Sequence, residues 1–378
     1  MKTQQILVPG LLLAAMAAVL FCLPSGISAG PVAIKQKYQV LEPIRQGNLT
    51  IFPVVAATSH DTSEFLTLDE GLRSGAVEVT ETGRAGRMVR GPDRRQYRGD
   101  EVNKLYLVND SKRPLLLLAG EVVTGGKQDR IVGKDLIIPA GEETDLDVFC
   151  VEHGRWTETS AKFGTTGAYN GAAGGVAGGA YMAQPSIRAQ AQGNNDQVAV
   201  WNEVSKAKES MASSFSVGGA PPPPAAAAIS QTSSYARVME NGAVTAQLDR
   251  VATPIEHSYE SAIHHLSNAH ALGVVVAVDG RIVWADVFAS TELLEKYWPK
   301  LARSYAAQAV ETDGSRERVS VQAAQDFLDQ VEGQHQESDS DPGVYRSTET
   351  TGNGYKVFEL TSLLPRTGFE VHWAKMAD

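Results

Sequence analysis

Cysteine is nearly absent from this sequence, with Cys22 and Cys150 as its two examples in 378 residues. Cys22 lies in an N-terminal segment that we expect to be removed. A single remaining thiol excludes an intramolecular disulfide, so the fold has to be stabilised by an ordinary apolar core. Leu146 and Val148 share a strand face with Cys150, which predicts a buried thiol rather than a nucleophile.

Positive charge is also in short supply. The chain has 34 Lys and Arg residues against 44 Asp and Glu residues, for a net charge of −10. Removal of residues 1–29 takes away one Lys and no acid, so the mature charge is 33 minus 44, or −11. Because nucleic acids are bound mainly through cationic side chains, this balance predicts no nucleic-acid partner.

One long apolar run, Ile6 to Leu23, follows Lys2 and precedes the small residues Ser-Gly-Ile-Ser-Ala. This order is typical of a secretory signal peptide, so we predict a signal peptide at residues 1–29, cleavage after Ala29 and export to the periplasm or the extracellular space. An uncleaved anchor is the alternative, and it is the one membrane attachment we consider. Pro9 interrupts the run, and about 20 apolar residues are needed to span a bilayer.

Several catalytic motifs are missing. The sequence has neither the HExxH pattern of zinc proteases nor the G-x-S-x-G pattern of the nucleophile elbow. His257, Glu260 and His264 share one face of a predicted helix, but no cysteine accompanies them, so we favour ordinary histidines over a metal site. We predict no metal and no cofactor.

Hydrophobic periodicity predicts an α+β fold. Its core is a mixed, mostly antiparallel, sandwich- or barrel-like set of strands with several packed helices. We divide the chain into a β-rich first half at residues 36–162, low-complexity segments within 163–234, and an α/β second half of the same domain with a C-terminal extension at 235–378. Residues 163–196 and 212–234, which carry the Gly/Ala- and Pro/Ala-rich stretches, are predicted to be mobile inserts on either side of one helix at about 197–211.

Local signals place a few elements more exactly. The dipeptide Asp279-Gly280 between two Val-rich runs predicts a two-residue β-hairpin. Ser290 is expected to cap the helix that follows, because its hydroxyl can accept from the first free backbone N–H groups. The polar segment 334–353 has no apolar periodicity and is predicted to be a loop.

The densest set of unusual polar residues lies between Leu115 and Trp156. Gly125 and Gly126 let the backbone N–H groups approach a ligand closely, and cationic side chains follow at once. Lys127 does not follow the glycine pattern of a Walker loop, so a nucleotide P-loop is excluded. We predict a site for a small anionic ligand; an exposed Gly-rich connection is the alternative. The candidate binding residues are Gly125, Gly126, Lys127, Gln128, Arg130, Arg155 and Trp156.

Two acids emerge at the ends of apolar strands. Glu121 follows a buried run, and Glu152 continues the face of Leu146, Val148 and Cys150. A carboxylate on a core face is costly unless it is paired or lies at the mouth of a cleft. Glu121 and Glu152 are therefore candidate acid–base catalysts, and salt-bridged structural acids are the equal alternative. Arg155 and Lys127 are the expected partners of Glu152.

Six arginines between Arg84 and Arg98 form an arginine island in a Gly- and Pro-containing segment. The ordinary interpretation is a solvated hairpin tip. The functional interpretation is a contact with an anionic component of the cell envelope.

The runs LLLLAGEVVTGGKQDRIV, IIPAG and FCVEHGRW resemble the ARG-and-rhodanese-phosphatase-superfamily-associated protein domain family. Later segments, GVVVAVDGRIVWADVF and LLEKYWPKLARSYAAQA, extend the resemblance over about residues 45–310. The family name implies, by association, a part in nucleotide or ADP-ribose metabolism, and the resemblance carries no established activity. Its motif positions here are Glu121, Lys127, Gln128, Arg130, Glu152, Arg155 and Trp156.

Two functions follow from the sequence. The first is an exported protein with a site for a small phosphorylated or carboxylated molecule, nucleotide- or ADP-ribose-like, at Glu121–Arg130 and Glu152–Trp156. The second is a non-enzymatic envelope or extracellular interaction module in which the same residues form a structural salt-bridge network. A concave pocket lined by these residues would favour the first, and a buried, fully paired set would favour the second.

Overall fold

The computed structural model describes residues 38–85, 100–165, 181–216, 224–264, 266, 268–312, 314, 317–340 and 342–378. Up to Cys150 these residues form mostly strands. The elements are β1 (Gln39–Val40), β2 (Ile44–Gln46), β3 (Leu49–Ala56), β4 (Leu66–Thr67), α1 (Leu68–Ser74), β5 (Val77–Glu81), α2 (Thr82–Ala85), β6 (Lys104–Asn109), β7 (Leu115–Leu117), β8 (Val122–Val123), β9 (Arg130–Val132), β10 (Leu136–Ile138) and β11 (Glu143–Cys150).

The rest of the described chain adds most of the helices and the remaining strands. These are α3 (Pro185–Arg188), which runs into a π-helical turn (Ala189–Gly193), α4 (Gln197–Ser214), α5 (Pro224–Gln231), α6 (Tyr235–Met239), α7 (Gly242–His264), β12 (His270–Val278), β13 (Arg281–Phe288), α8 (Thr291–Val310), α9 (Val321–Asp329), β14 (Gln334–Asp339), β15 (Tyr345–Thr351), β16 (Tyr355–Ser362) and β17 (Glu370–Ala377). The predicted α+β class with mostly antiparallel sheets is confirmed.

The largest sheet has the strand order β1-β3-β12-β13-β17-β16-β15-β14, with β2 paired to β3. The hairpin β12–β13 lies at its centre, and the predicted turn is confirmed: Asp279 and Gly280 have φ angles of 50° and 74°. Side chains of a strand alternate between faces. Trp284 and Phe288 therefore pack in the core under α7 and α8, whereas Ala285 and Val287 pack on the other face with α9.

Two smaller sheets carry the predicted site. One has the order β5-β6-β11-β9-β8 and the other β10-β7-β4. Pairing only partly follows the order of the strands along the chain: β6 pairs with β5 and β11, whereas β7, the next strand, pairs with β10 and β4. From β4 to β11 the chain thus crosses between the two sheets five times, and the crossing before β10 brings Asp135 next to the largest sheet.

Helix α8 joins these parts. Ser290 is its N-cap, as predicted, and its side chain accepts from the N–H of Leu293 at 3.0 Å. The helix buries Tyr297, Tyr305 and Lys300, a cation whose burial requires nearby carboxylates. Among the described residues, no helix is both long and apolar enough to cross a membrane.

The expectation of mobile inserts is wrong for residues 181–196 and 224–234. Ile187, Arg188, Ala226 and Ile229 are each at most 2% exposed, so these segments fold onto the core through a few well-placed side chains despite their low-complexity surroundings. The predicted helix at about 197–211 is α4, with Val200, Val204 and Met211 buried. The Gly/Ala-rich residues 166–180 and the stretch 217–223 lie outside the described residues.

The loop predicted for residues 334–353 is also wrong. Residues 334–339 and 345–351 are the antiparallel strands β14 and β15. Every side chain of β14 is exposed, so no apolar alternation marks it in the sequence. The strand is held by backbone pairing with β15, which in turn pairs with β16.

Candidate functional site

The glycine turn links β8 to β9, and its geometry needs glycine. Gly125 and Gly126 have φ angles of 129° and 48°, which side chains other than glycine rarely adopt. A Cβ on Gly126 would also collide with the ring of Phe163. Other groups therefore approach the backbone of this turn closely, as predicted from its two glycines.

What approaches the turn is the protein's own chain. The N–H of Gly125 donates to Asp129 Oδ1 at 3.2 Å, that of Gly126 to Ser160 Oγ at 3.2 Å, and that of Lys127 to Glu81 Oε1 at 2.6 Å. Two of these three acceptors belong to carboxyl groups. The three N–H groups that a phosphate or carboxylate ligand would use are thus occupied by two internal carboxyl oxygens and one hydroxyl.

Glu152 forms a bidentate ion pair with Arg155. Its Oε1 accepts from Arg155 Nε at 2.7 Å, and its Oε2 accepts from Nη2 at 2.6 Å. Glu152 Oε2 also accepts from the N–H of Asp129 at 3.1 Å. The remaining guanidinium nitrogen of Arg155 donates to the carbonyls of Gly126 and Thr157 at 3.1 and 2.7 Å. The arginine fork is thereby fully occupied.

Gln128 and Asp129 tie the turn to more distant parts of the chain. Gln128 Nε2 donates to the Glu152 carbonyl at 2.9 Å, and Asp129 Oδ2 accepts from Ser234 Oγ at 2.6 Å. Both residues are 5% exposed, and burial raises the pKa of the Asp129 carboxyl. Gln128, a predicted binding residue, therefore uses its amide to connect the glycine turn to the backbone at Glu152.

Arg130 is fully buried and has no carboxylate ion-pair partner within 4.0 Å among the described residues. Its Nε donates to the Val102 carbonyl at 2.8 Å, while Nη2 has no hydrogen-bond partner there. Burial lowers the pKa of Arg130. Its strand neighbour Cys150 is fully buried, as predicted, and burial raises the pKa of that thiol.

Lys127 and Trp156 lie at the surface of this region. Lys127 Nζ is 2.7 Å from Asp100 Oδ2 and 4.9 Å from the centre of the Trp156 ring. Trp156 is 44% exposed. Among the predicted binding residues, this pair presents the charge and the ring that remain open to solvent.

Glu121 belongs to a different group. It is 1% exposed and pairs with Lys300 of α8, which also contacts Asp69 at 2.7 Å. The second oxygen of Glu121 accepts from the N–H of Leu118 at 2.7 Å. Burial alone would lower the pKa of Lys300, but the two carboxylates raise it. The two predicted acid–base residues, Glu121 and Glu152, thus have separate cationic partners on separate elements.

The arginine island falls mostly beyond the described part of the chain. Residues 86–99 lie outside it, and Arg84, which lies within it, pairs with Glu158.

Sequence reasoning missed a second polar group, in the core. Arg188 donates through Nη1 and Nη2 to the two oxygens of Asp286, both at 2.8 Å. Asp286 also accepts from the hydroxyl of Tyr305 and lies 3.3 Å from His372 Nε2. His372 Nδ1 is 2.6 Å from Asp135, which accepts from the N–H of Ala119 at 2.7 Å. We call Asp135, Arg188, Asp286, Tyr305 and His372 the interior network.

The interior network balances its own charge. Burial alone would lower the pKa of His372, but Asp135 and Asp286 raise it to about 9. Burial alone would raise the pKa of Asp286, but Arg188 and His372 hold it well below its usual range. Two cations therefore face two carboxylates, and the Arg188 guanidinium also lies 4.3 Å from the Trp284 ring. Gly120 makes room for Arg188, since a Cβ there would lie 2.5 Å from Arg188 Cγ.

Two residues of the interior network did leave a signal in the sequence. Asp286 interrupts the apolar run VWADVF, and His372 interrupts FEVHWAKM. A polar side chain on the buried face of a strand requires a partner. The partners come from residues 135 and 188, and no local pattern connects them.

The sequence model of the ARG and Rhodanese-Phosphatase-superfamily-associated Protein domain matches residues 37–374. No curated protein and no solved structure matches the chain. The match spans nearly the whole chain, both described halves included, and it confirms the resemblance carried by the Gly125–Arg130 and Glu152–Trp156 motifs. The chain therefore belongs to the ARG and Rhodanese-Phosphatase-superfamily-associated Protein domain family.

Proposed function

We propose that the protein is an exported, non-enzymatic interaction module in which the residues around the glycine turn are a structural salt-bridge network. We call Gly125–Arg130 together with Glu152, Arg155 and Trp156 the loop cluster. The observation that carries the proposal is the use of the N–H groups of Gly125, Gly126 and Lys127 by acceptors of the same chain. A ligand anion would have to displace the carboxyl oxygens of Asp129 and Glu81.

The arrangement of the acids also supports this proposal. General acid–base chemistry requires carboxyl groups that face one substrate. Glu152 is 3% exposed and is held by Arg155, and Glu121 is 1% exposed and is held by Lys300. Freeing Glu152 for catalysis would take the bidentate partner from Arg155, and freeing Glu121 would remove one of the two carboxylates that neutralise the buried Lys300. Either change is costly.

A second candidate function rests on the exposed edge of the loop cluster. Lys127 and Trp156 form a cation–aromatic pair that opens to solvent, and such a pair suits a small anionic ligand with a planar ring, for example a nucleotide or ADP-ribose. Arg130 Nη2, buried without a partner among the described residues, is the one donor of the cluster that an anion would satisfy. Phosphorylated or carboxylated molecules are the ligand class here.

One experiment decides between the two functions. Thermal unfolding of the full chain is followed with inorganic phosphate, ADP-ribose, AMP and succinate, in the wild type and in Lys127→Ala. The structural network predicts no saturable rise in the melting temperature with any of the four. A saturable rise that disappears in Lys127→Ala would establish the anion site and overturn the network.

Export and a partner for the arginine island are proposed from the sequence. Expression with residues 1–29 in place should yield a periplasmic or secreted protein that begins at Gly30, as read by N-terminal sequencing; a membrane-bound product that retains Met1 would contradict cleavage. The immobilised full chain should capture a component from envelope extracts, and a variant that lacks residues 84–98 should not. Equal capture by the full chain and the deletion variant would contradict a role for the arginine island.

A further inference from the structure

A cavity of about 770 Å³ lies between the outer strands of the largest sheet and the five-stranded sheet. Its floor is formed by β14, β15 and β16. The opposite wall comes from the connection between β9 and β10 and from β11, and Ala191, Gln192 and Asn195 close one side. This volume is in the range of pockets that hold small molecules. The cavity is separate from the loop cluster, since no residue of that cluster lines it.

Strand register explains why the floor is polar. Ser338 of β14 lies opposite Ser347 of β15, and the same row continues through Leu360 to His372. The next row runs from Gln336 to Glu349 and then to Phe358. The same face of the sheet thus carries residues of the interior network at its centre and hydroxyl, amide and carboxylate groups at its edge.

Asp135 connects the cavity to the interior network. It lines the cavity, yet its carboxylate accepts from Ala119 and contacts His372 at 2.6 Å. The inner end of the cavity is therefore fixed by side chains that are themselves held in the core. A rigid inner wall of this kind lowers the entropy cost of ordering a ligand.

The carboxylates that face the cavity already have basic partners. Four of its carboxylates have basic partners: Asp135 with His372 at 2.6 Å, Asp147 with Lys134 at 3.7 Å, Asp339 with Arg346 at 2.7 Å, and Glu349 with Lys356 at 3.0 Å. Glu359, which also borders the cavity, alternates with Phe358 along β16, so its side chain points to the other face. Lys104 also lines the cavity; it has no ion pair within 4.0 Å among the described residues, but it lies opposite Asp147 in the strand register, so a carboxylate faces its charge as well.

The groups that remain are those that bind hydroxyls. Amides and hydroxyls both donate and accept, as sugar hydroxyls do, and they come from Gln336, Ser338, Ser347 and Asn195. Gln192 on the wall has a side-chain oxygen without a hydrogen-bond partner among the described residues. The rings of Phe149, Tyr345 and Phe358 supply flat apolar surface for the C–H face of a sugar ring.

We propose that this cavity is a binding site for a small neutral polyhydroxylated molecule of mono- or disaccharide size. The amides and hydroxyls of β14 and β15 bind its hydroxyls, and the aromatic side chains contact its ring face.

Ligand-observed NMR by saturation transfer on the full chain tests the class directly. The neutral probes are glucose, mannose, arabinose, maltose and trehalose; putrescine and succinate represent cations and anions. At least one saccharide should bind with a Kd below about 10 mM, with putrescine and succinate unable to displace it. Absence of binding by all five saccharides, or displacement by either charged probe, overturns the proposal.

A pair of variants on one exposed strand locates the site. Gln336→Ala/Ser338→Ala removes two polar groups from the cavity floor, and Gln334→Ala removes the same amide from a position of β14 that does not line the cavity. Because all three side chains are exposed, the fold should survive, which an unchanged melting temperature would verify. The double variant should weaken saccharide binding about tenfold, whereas the control should not. Equal affinities in the two variants would contradict the assignment.

Discussion

The loop cluster and the interior network are both made of buried ionic groups, but they are built differently. In the loop cluster Glu152 and Arg155 are three residues apart, and the Arg155 side chain is 17% exposed. In the interior network Arg188 and Asp286 are 98 residues apart, and both side chains are fully buried. The first is a local ion pair near the surface, whereas the second joins two helices, two strands of the largest sheet and the connection before β10.

Loss of a carboxylate partner therefore has different energetic consequences at the surface and in the core. A partly exposed arginine that loses its carboxylate regains part of its hydration, but a fully buried arginine cannot. The interior network should therefore control global stability, and the loop cluster should control the order of its own loop.

Asp286→Ala should lower the free energy of unfolding by about 3–5 kcal/mol, because it leaves Arg188 buried without its partner. Urea unfolding followed by circular dichroism measures the change. Asp110→Ala is the matched control, since Asp110 is exposed and its removal should change stability by less than about 0.5 kcal/mol. Similar losses in the two variants would refute the claim that the interior network stabilises the core.

Stability should fall as the pH rises through about 9, the folded-state pKa of His372. The folded pKa is above the ordinary value of 6.5, so the contribution is complete below 6.5 and is lost through about 9. It amounts to about 3 kcal/mol. The test compares urea unfolding of the wild type and His372→Gln between pH about 6 and about 10. Parallel pH profiles would show that His372 is not the titrating group.

Glu152→Ala should cost about 1–3 kcal/mol, since it leaves a partly hydrated arginine and an unpaired N–H on Asp129. The loss should be accompanied by faster amide hydrogen exchange at residues 125–130, with little change in the interior strands. Exchange that accelerates equally in β12 and β13 would contradict a local role.

Lys127→Ala should cost less than about 1 kcal/mol, because the Lys127 and Asp100 side chains are 25% and 18% exposed and ion pairs near solvent contribute little. The same unfolding assay checks this value. A loss as large as that of Glu152→Ala would mean that the surface edge also stabilises the loop.

The features that could be predicted from the sequence depend on residues close together in the chain. The turn at Asp279–Gly280 and the Ser290 cap follow from one or two residues and are present. The loop cluster was also found, because its members lie within two short runs. Glu81, Lys300 and Ser234, which complete its contacts and those of Glu121, come from distant parts of the chain and were not predictable.

Non-local pairing also explains the errors in the predicted fold. Strand β14 has six exposed polar side chains, and its strand character comes from pairing with β15. The segments 181–196 and 224–234 look featureless in composition, yet Ile187, Arg188 and Ile229 fit sites formed by other elements. In both cases the information lies in the partner and not in the segment itself.

A double-mutant cycle between Glu152 and Arg155 tests most directly whether the loop cluster is a structural network. Free energies of unfolding are measured for the wild type, Glu152→Ala, Arg155→Ala and the double variant. A structural network predicts a coupling energy of about 1–2 kcal/mol, as expected for a bidentate pair at 2.6 and 2.7 Å. A coupling energy indistinguishable from zero would contradict it.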